Sequence, residues 1–140
     1  LLTGSIVLRV DEPMAFEAVG HGRGMGVIAT LPSTLEPTAS LVSSKAREAG
    51  KEIAINATLV AGAFDAFASG DGARHDALVG EAILKLSPQG DVLVLAQASM
   101  ARVVDALPAG QKTIPILSSP RSAVSHLASL VNSSKETSCR

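Results

Sequence analysis

The chain has 140 residues, with 12 Lys and Arg against 13 Asp and Glu and a formal net charge of -1, a length that suits one domain with a real core. Its basic residues are scattered, with no run and no aromatic partners, which excludes a nucleic-acid footprint. The longest wholly apolar stretches, such as residues 92–96, fall far short of the ~20 residues that span a bilayer, so no membrane partner is expected.

Apolar residues make up 46% of the chain, yet the only aromatics are Phe16, Phe64 and Phe67. A core of Ala, Val, Leu and Ile is therefore expected, which suits helices packed on parallel strands. Residues 1–8 lack a basic leader and run straight into Arg9, Asp11 and Glu12, so no signal peptide is read and cytoplasm is the expected compartment. Opening on Leu1 rather than Met, the sequence reads as a processed or truncated product. Its single cysteine, Cys139, excludes an internal disulfide and sits in a polar tail, 132–140, that is expected to fray and to make a poor nucleophile. Asn56-Ala57-Thr58 and Asn132-Ser133-Ser134 match the glycosylation triplet, a pattern too short to carry weight without a secretory signal.

In chain order, residues 5–10 predict a first strand and 12–19 a helix, with Asp11 as its N-cap and Pro13 in the first turn, where the missing N–H costs nothing. The glycine-rich run from Gly20 to Gly26 reads as a flexible joint. Residues 25–29 predict a buried parallel strand, followed by a helix over 34–49 with Leu35, Ala39, Val42 and Ala46 on one face and a stop at Gly50. A second buried strand is expected at 53–59. The next helix starts at Asp71 or Ala73, carries Leu78, Val79, Ala82, Ile83 and Leu86 on one face, and ends before Pro88. Residues 91–96 predict a third buried strand and 100–107 a helix closed by Pro108. Residues 113–117 predict a strand ended by Ser118-Ser119-Pro120, and 121–131 a helix whose apolar stripe is Val124, Leu127, Ala128 and Val131. Strand and helix thus alternate from end to end, which predicts an α/β three-layer sandwich with a mostly parallel sheet and right-handed crossovers.

In open parallel sheets, ligands sit beyond the carboxyl ends of strands, where helix N-termini present free N–H groups. Two strand-to-helix turns fit. Ala29-Thr30-Leu31-Pro32-Ser33-Thr34 gathers three hydroxyls around a helix start, and Ala96-Gln97-Ala98-Ser99-Met100 puts an amide and a hydroxyl at the end of a very apolar strand. The plainer readings are that Ser33 or Thr34 caps its helix and that Gln97 is a buried amide paired with backbone. The glycine run has glycine at every second position and precedes its strand, so it is not the GxGxxG dinucleotide fingerprint. No P-loop, metal-ligand spacing or Gly-x-Ser-x-Gly elbow occurs, and no cofactor or metal is expected. His21, His75 and His126 are expected at solvated or helix-surface positions. Asp11, Glu12, Asp65, Asp71 and Asp105 could serve acid–base chemistry, but as isolated carboxylates they read first as caps or surface charges.

Residues 26–34, 91–100 and 114–120 together resemble the aspartate/glutamate/hydantoin racemase family in order and spacing. That resemblance implies two similar α/β lobes facing each other across a cleft, with one cysteine from each lobe acting on opposite faces of the substrate α-carbon. Residues 1–24 would then end the first lobe and form a connecting helix and joint, 25–112 the second lobe, 113–131 a return strand and helix, and 132–140 a flexible tail. The first cysteine would lie before Leu1, and the position of the second is held by Gln97, an amide that cannot exchange a proton near neutral pH. The resemblance carries over binding: Thr30, Ser33 and Thr34 match the turn that holds a substrate carboxylate, and Gln97, Ala98 and Ser99 the turn that carried the thiol. The chain is therefore expected to bind a small carboxylate or amino-acid-like ligand. Two readings stand open: an isomerase of racemase type, or a single-cysteine relative, whose thiol comes from outside these residues, and a non-enzymatic binding or regulatory relative of that fold. A homo-oligomer, or association with a first lobe, is expected from the apolar face such a lobe would cover.

Overall fold

The structure, a computed structural model, describes residues 9–137. The strand expected at 5–10 falls largely outside these residues, as does Cys139; Arg9 and Val10 themselves are not in a strand. The elements are α1 (Glu12–His21), β1 (Gly24–Ala29), α2 (Pro32–Glu48), β2 (Ala54–Leu59), α3 (Ala63–Ala68), α4 (Gly72–Leu86), β3 (Val92–Leu95), α5 (Ala101–Ala106), β4 (Ile116–Ser118) and α6 (Ser119–Thr137), with short 3-10 turns before β3, α5 and β4.

The four strands form one sheet in the order β2-β1-β3-β4, every pair parallel. Because successive strand residues point to opposite faces, Met25, Val27, Val92 and Val94 lie on one side with Leu117, against Met14, Ala15, Ala18 and Val19 of α1 and Val42 and Ala46 of α2. Ile28, Leu93 and Leu95 point to the other side, against Ala63 of α3, Val79 and Ile83 of α4, and Val103 and Val104 of α5. The three-layer α/β sandwich expected from the alternation is thus the fold observed. Gly26 of β1 stands in register with Leu93 of β3, whose side chain fills the space that a Cβ on Gly26 would need. The aliphatic core is completed by Met14, Met25 and Met100, all buried, whereas Phe16, Phe64 and Phe67 all stay at least partly exposed.

Several details differ from the sequence expectations. Asp11 makes no side-chain cap to α1; its carboxylate instead pairs with the Arg9 guanidinium at 2.8 and 3.1 Å. The cap position of α2 is Leu31, with Pro32 at the start of the helix, so neither Ser33 nor Thr34 caps it. At the other end the chain turns at Gly50, whose φ of +68° is the left-handed region that glycine adopts without strain, and Lys51 N–H donates to the Ala46 carbonyl. β2 is an edge strand with mostly exposed residues rather than a buried one. Asp71 does cap α4, accepting the Arg74 N–H at 3.0 Å. α6 continues to Thr137, past the last residue of the expected stripe.

α6 also departs from what an apolar stripe implies. Ser122 is buried and donates to Glu17 of α1 at 2.9 Å, while Val124, Leu127 and Val131, on the far side of the helix, are exposed. From Val124 to Asn132 every residue of α6 is exposed, so the helix meets the domain through its first turns, at Ser122. No helix among the described residues is long and apolar enough to cross a membrane.

Candidate functional site

The chain leaves β1 into α2 on one face of the sheet and leaves β3 into α5 on the other. β1 and β3 are neighbours in the sheet, so the connections diverge at their carboxyl ends; such a divergence is the topological switch point, and open α/β sheets bind ligands in the crevice between two such connections.

Thr30 directly follows β1 and Gln97 follows β3 at this point. Ladder pairing stops with Ala96 N–H donating to the Ile28 carbonyl at 2.9 Å. Just beyond, the Gln97 side-chain oxygen accepts the Thr30 N–H and the Thr30 hydroxyl, each at 2.7 Å. Thr30 is buried and Gln97 half-buried. Of the residues expected at the site, these two are bonded directly. Ser33 is exposed on the first turn of α2, and the Thr34 hydroxyl donates to the Leu31 carbonyl at 3.0 Å. Ala98 is exposed and Ser99 half-buried on the 3-10 turn before α5. Ser118, buried, ends the neighbouring strand β4 in register with Leu95, and Ser119 opens α6 beside it; the two extend the polar row. Sequence spacing alone did not single them out, although they close the apolar run of β4.

None of Thr30, Ser33, Thr34, Gln97, Ala98 and Ser99 ionises near neutral pH, so this row can donate and accept hydrogen bonds but cannot carry a proton through a reaction. Arg102, in the first turn of α5, is held by Asp76 of α4 at 2.9 Å. Asp76 also meets Nδ1 of His75 at 2.7 Å. Burial works to raise the Asp76 carboxyl, but the hydrogen bonds from His75 and Arg102 outweigh it and hold it below the usual carboxylate range. Contrary to the surface position expected for it, His75 is 1% exposed and packs its ring against Phe67 of α3, centroids 5.4 Å apart. Among the described residues no cluster of His, Cys, Asp and Glu could hold a metal.

Two well-formed grooves lie away from this crevice. One of about 410 Å³ runs between α1 and α6, past Phe16, Lys45 and His126. The other, about 560 Å³, lies between β2 and α4 beside Leu59, Leu78 and Lys85. Concavity favours them; the bonded Thr30–Gln97 pair at the strand ends favours the β1/β3 crevice, since polar groups are what fix a small polar ligand.

The fold and the crevice define a class: a parallel α/β unit of racemase-like fold with a polar row at the carboxyl ends of β1 and β3. The chain is similar in structure to a glutamate racemase isoform from Bacillus anthracis, with a TM-score of 0.59 and 17% sequence identity, over 94% of this chain and 51% of the racemase. It therefore spans about half the length of that protein. No family model matches the chain, and no curated protein matches it in sequence.

Proposed function

We propose that the chain belongs to a protein of the aspartate/glutamate/hydantoin racemase family and binds a small carboxylate or amino-acid-like ligand in the β1/β3 crevice, in the cytoplasm. The observation that carries this reading is the Thr30–Gln97 pair at the switch point, close in sequence to the start of α2. An anion near a helix N-terminus gains ~0.3–1 kcal/mol when exposed, and each hydrogen bond to a charged acceptor adds ~1.5–3 kcal/mol. The test is thermal: a ligand that binds only the folded chain raises its melting temperature by mass action. Dicarboxylates and amino acids at millimolar levels should do so; a flat melting curve across the panel removes the reading.

Gln97 stands where the resemblance sets the second catalytic cysteine. Racemisation would then need a thiol from sequence beyond these residues. The second reading, a binding or regulatory protein without catalysis, is favoured by the absence of any ionisable side chain in the row of six. Deuterium uptake at the α-carbon of amino acids and hydantoins, followed by mass spectrometry, separates the two: exchange supports the isomerase, ligand binding without exchange the binder.

A further inference from the structure

The Gln97 amide is held at one end only. A backbone N–H is a donor and nothing else, so the amide atom 2.7 Å from Thr30 N is the carbonyl oxygen. The Thr30 hydroxyl, also 2.7 Å from that oxygen, must therefore be the donor in its own bond. Two donors on one acceptor leave the amide a single orientation. On its far side, Nε2 has no hydrogen-bond partner among the described residues and is not sealed from solvent.

We propose that Gln97 is the specificity-determining donor of the crevice: its NH2 group, turned outward by Thr30, selects ligands that present a carboxylate over ligands that present an ammonium. The inference rests on the binding reading above and deepens it by assigning the polarity of the contact. Thr30 is then a positioning residue. Its hydroxyl hydrogen is committed to Gln97, so it is not the ligand's donor, and its contribution to affinity passes through the amide. A donor fixed in place before binding avoids the cost of ordering it, and a bond from it to an ionised acceptor is stronger than one to a neutral group.

Gln97→Glu tests the assignment because it keeps the shape and can still accept both Thr30 bonds, while replacing the outward NH2 with an anionic oxygen. Isothermal titration of wild type and variant with succinate and with 1,4-diaminobutane reads the selectivity, and the melting temperature confirms that the variant folds. The wild type should prefer succinate, and Gln97→Glu should lose succinate affinity by about tenfold or more with its melting temperature intact. Thr30→Val, which leaves the amide held by the N–H alone, should weaken succinate binding by less. Equal succinate affinity in wild type and Gln97→Glu overturns the donor assignment and leaves the binding reading standing. A wild type that binds no carboxylate overturns both. Should Gln97→Glu fail to fold, the wild-type side-chain NH2 resonances of Gln97 decide instead: they should shift as succinate saturates, and unmoved resonances overturn the assignment.

Discussion

Asp91 and Gly24 bond to each other twice: the Asp91 N–H donates to the Gly24 carbonyl at 2.7 Å, and Asp91 Oδ2 accepts the Gly24 N–H at 2.8 Å. The same oxygen accepts the Arg23 N–H at 2.9 Å, and the Asp91 side chain occupies the space where a Cβ on Gly22 would sit. The glycine-rich joint is thus fastened where β1 begins, beside the start of β3. The bonds from Gly24 and Arg23 hold the Asp91 carboxyl below its usual range.

A carboxylate whose folded pKa is depressed adds stability that is complete above its unfolded pKa, ~3.9, and is lost as pH falls through the lower folded value. Asp91→Asn keeps a carbonyl oxygen for both N–H groups but no charge, so it should flatten this part of the acid limb of the stability curve. Asp91→Ala loses both bonds and should show the lower melting temperature of the two. Equal melting temperatures for wild type and Asp91→Ala would mean that the joint is held elsewhere.

Asp76 joins α4 to α5 through Arg102 and satisfies the buried His75. Removing it leaves a buried polar nitrogen without its partner, a loss of ~1–3 kcal/mol. Asp76→Ala should therefore lower the urea midpoint by more than Arg102→Ala, which gives up only a half-exposed ion pair worth ~0.2–1 kcal/mol. The reverse order would show that the pair, and not His75, sets the cost.

The outward face of α6 exposes Val124 at 66%, Leu127 at 48% and Val131 at 54%. Apolar surface on this scale is usually covered by a partner, so the chain should self-associate at tens of micromolar in sedimentation. Leu127→Glu, on the exposed side, should shift it to monomer without lowering its melting temperature. A strict monomer for the wild type contradicts the account of this face.

The strand cores at 25–29 and 91–96 were legible because short apolar runs between turn residues have few other uses. Whether a strand lies at the centre or the edge depends on what pairs with it, and nothing in Ala54–Leu59 itself reports that it has only one neighbour among the described residues. α3 went unread because six residues between glycines are too few to show a helical period. The stripe on α6 was legible, but its direction was not, since periodicity gives a face and no orientation. Thr30 and Gln97 could each be placed at a strand end by the rule for open sheets. Their bond could not, because 67 residues separate them. His75 looked like surface until Phe67 of the unread α3 closed over it.

The central claim is that a small carboxylate binds where β1 and β3 diverge, and backbone amide resonances locate it most directly. Titrating the isotopically labelled chain with succinate and with L-aspartate should move the amides of residues 30–34 and 97–99, and leave those lining the groove beside β2 and the groove at Phe16 in place. Shifts confined to either groove, or none at millimolar ligand, would contradict the account.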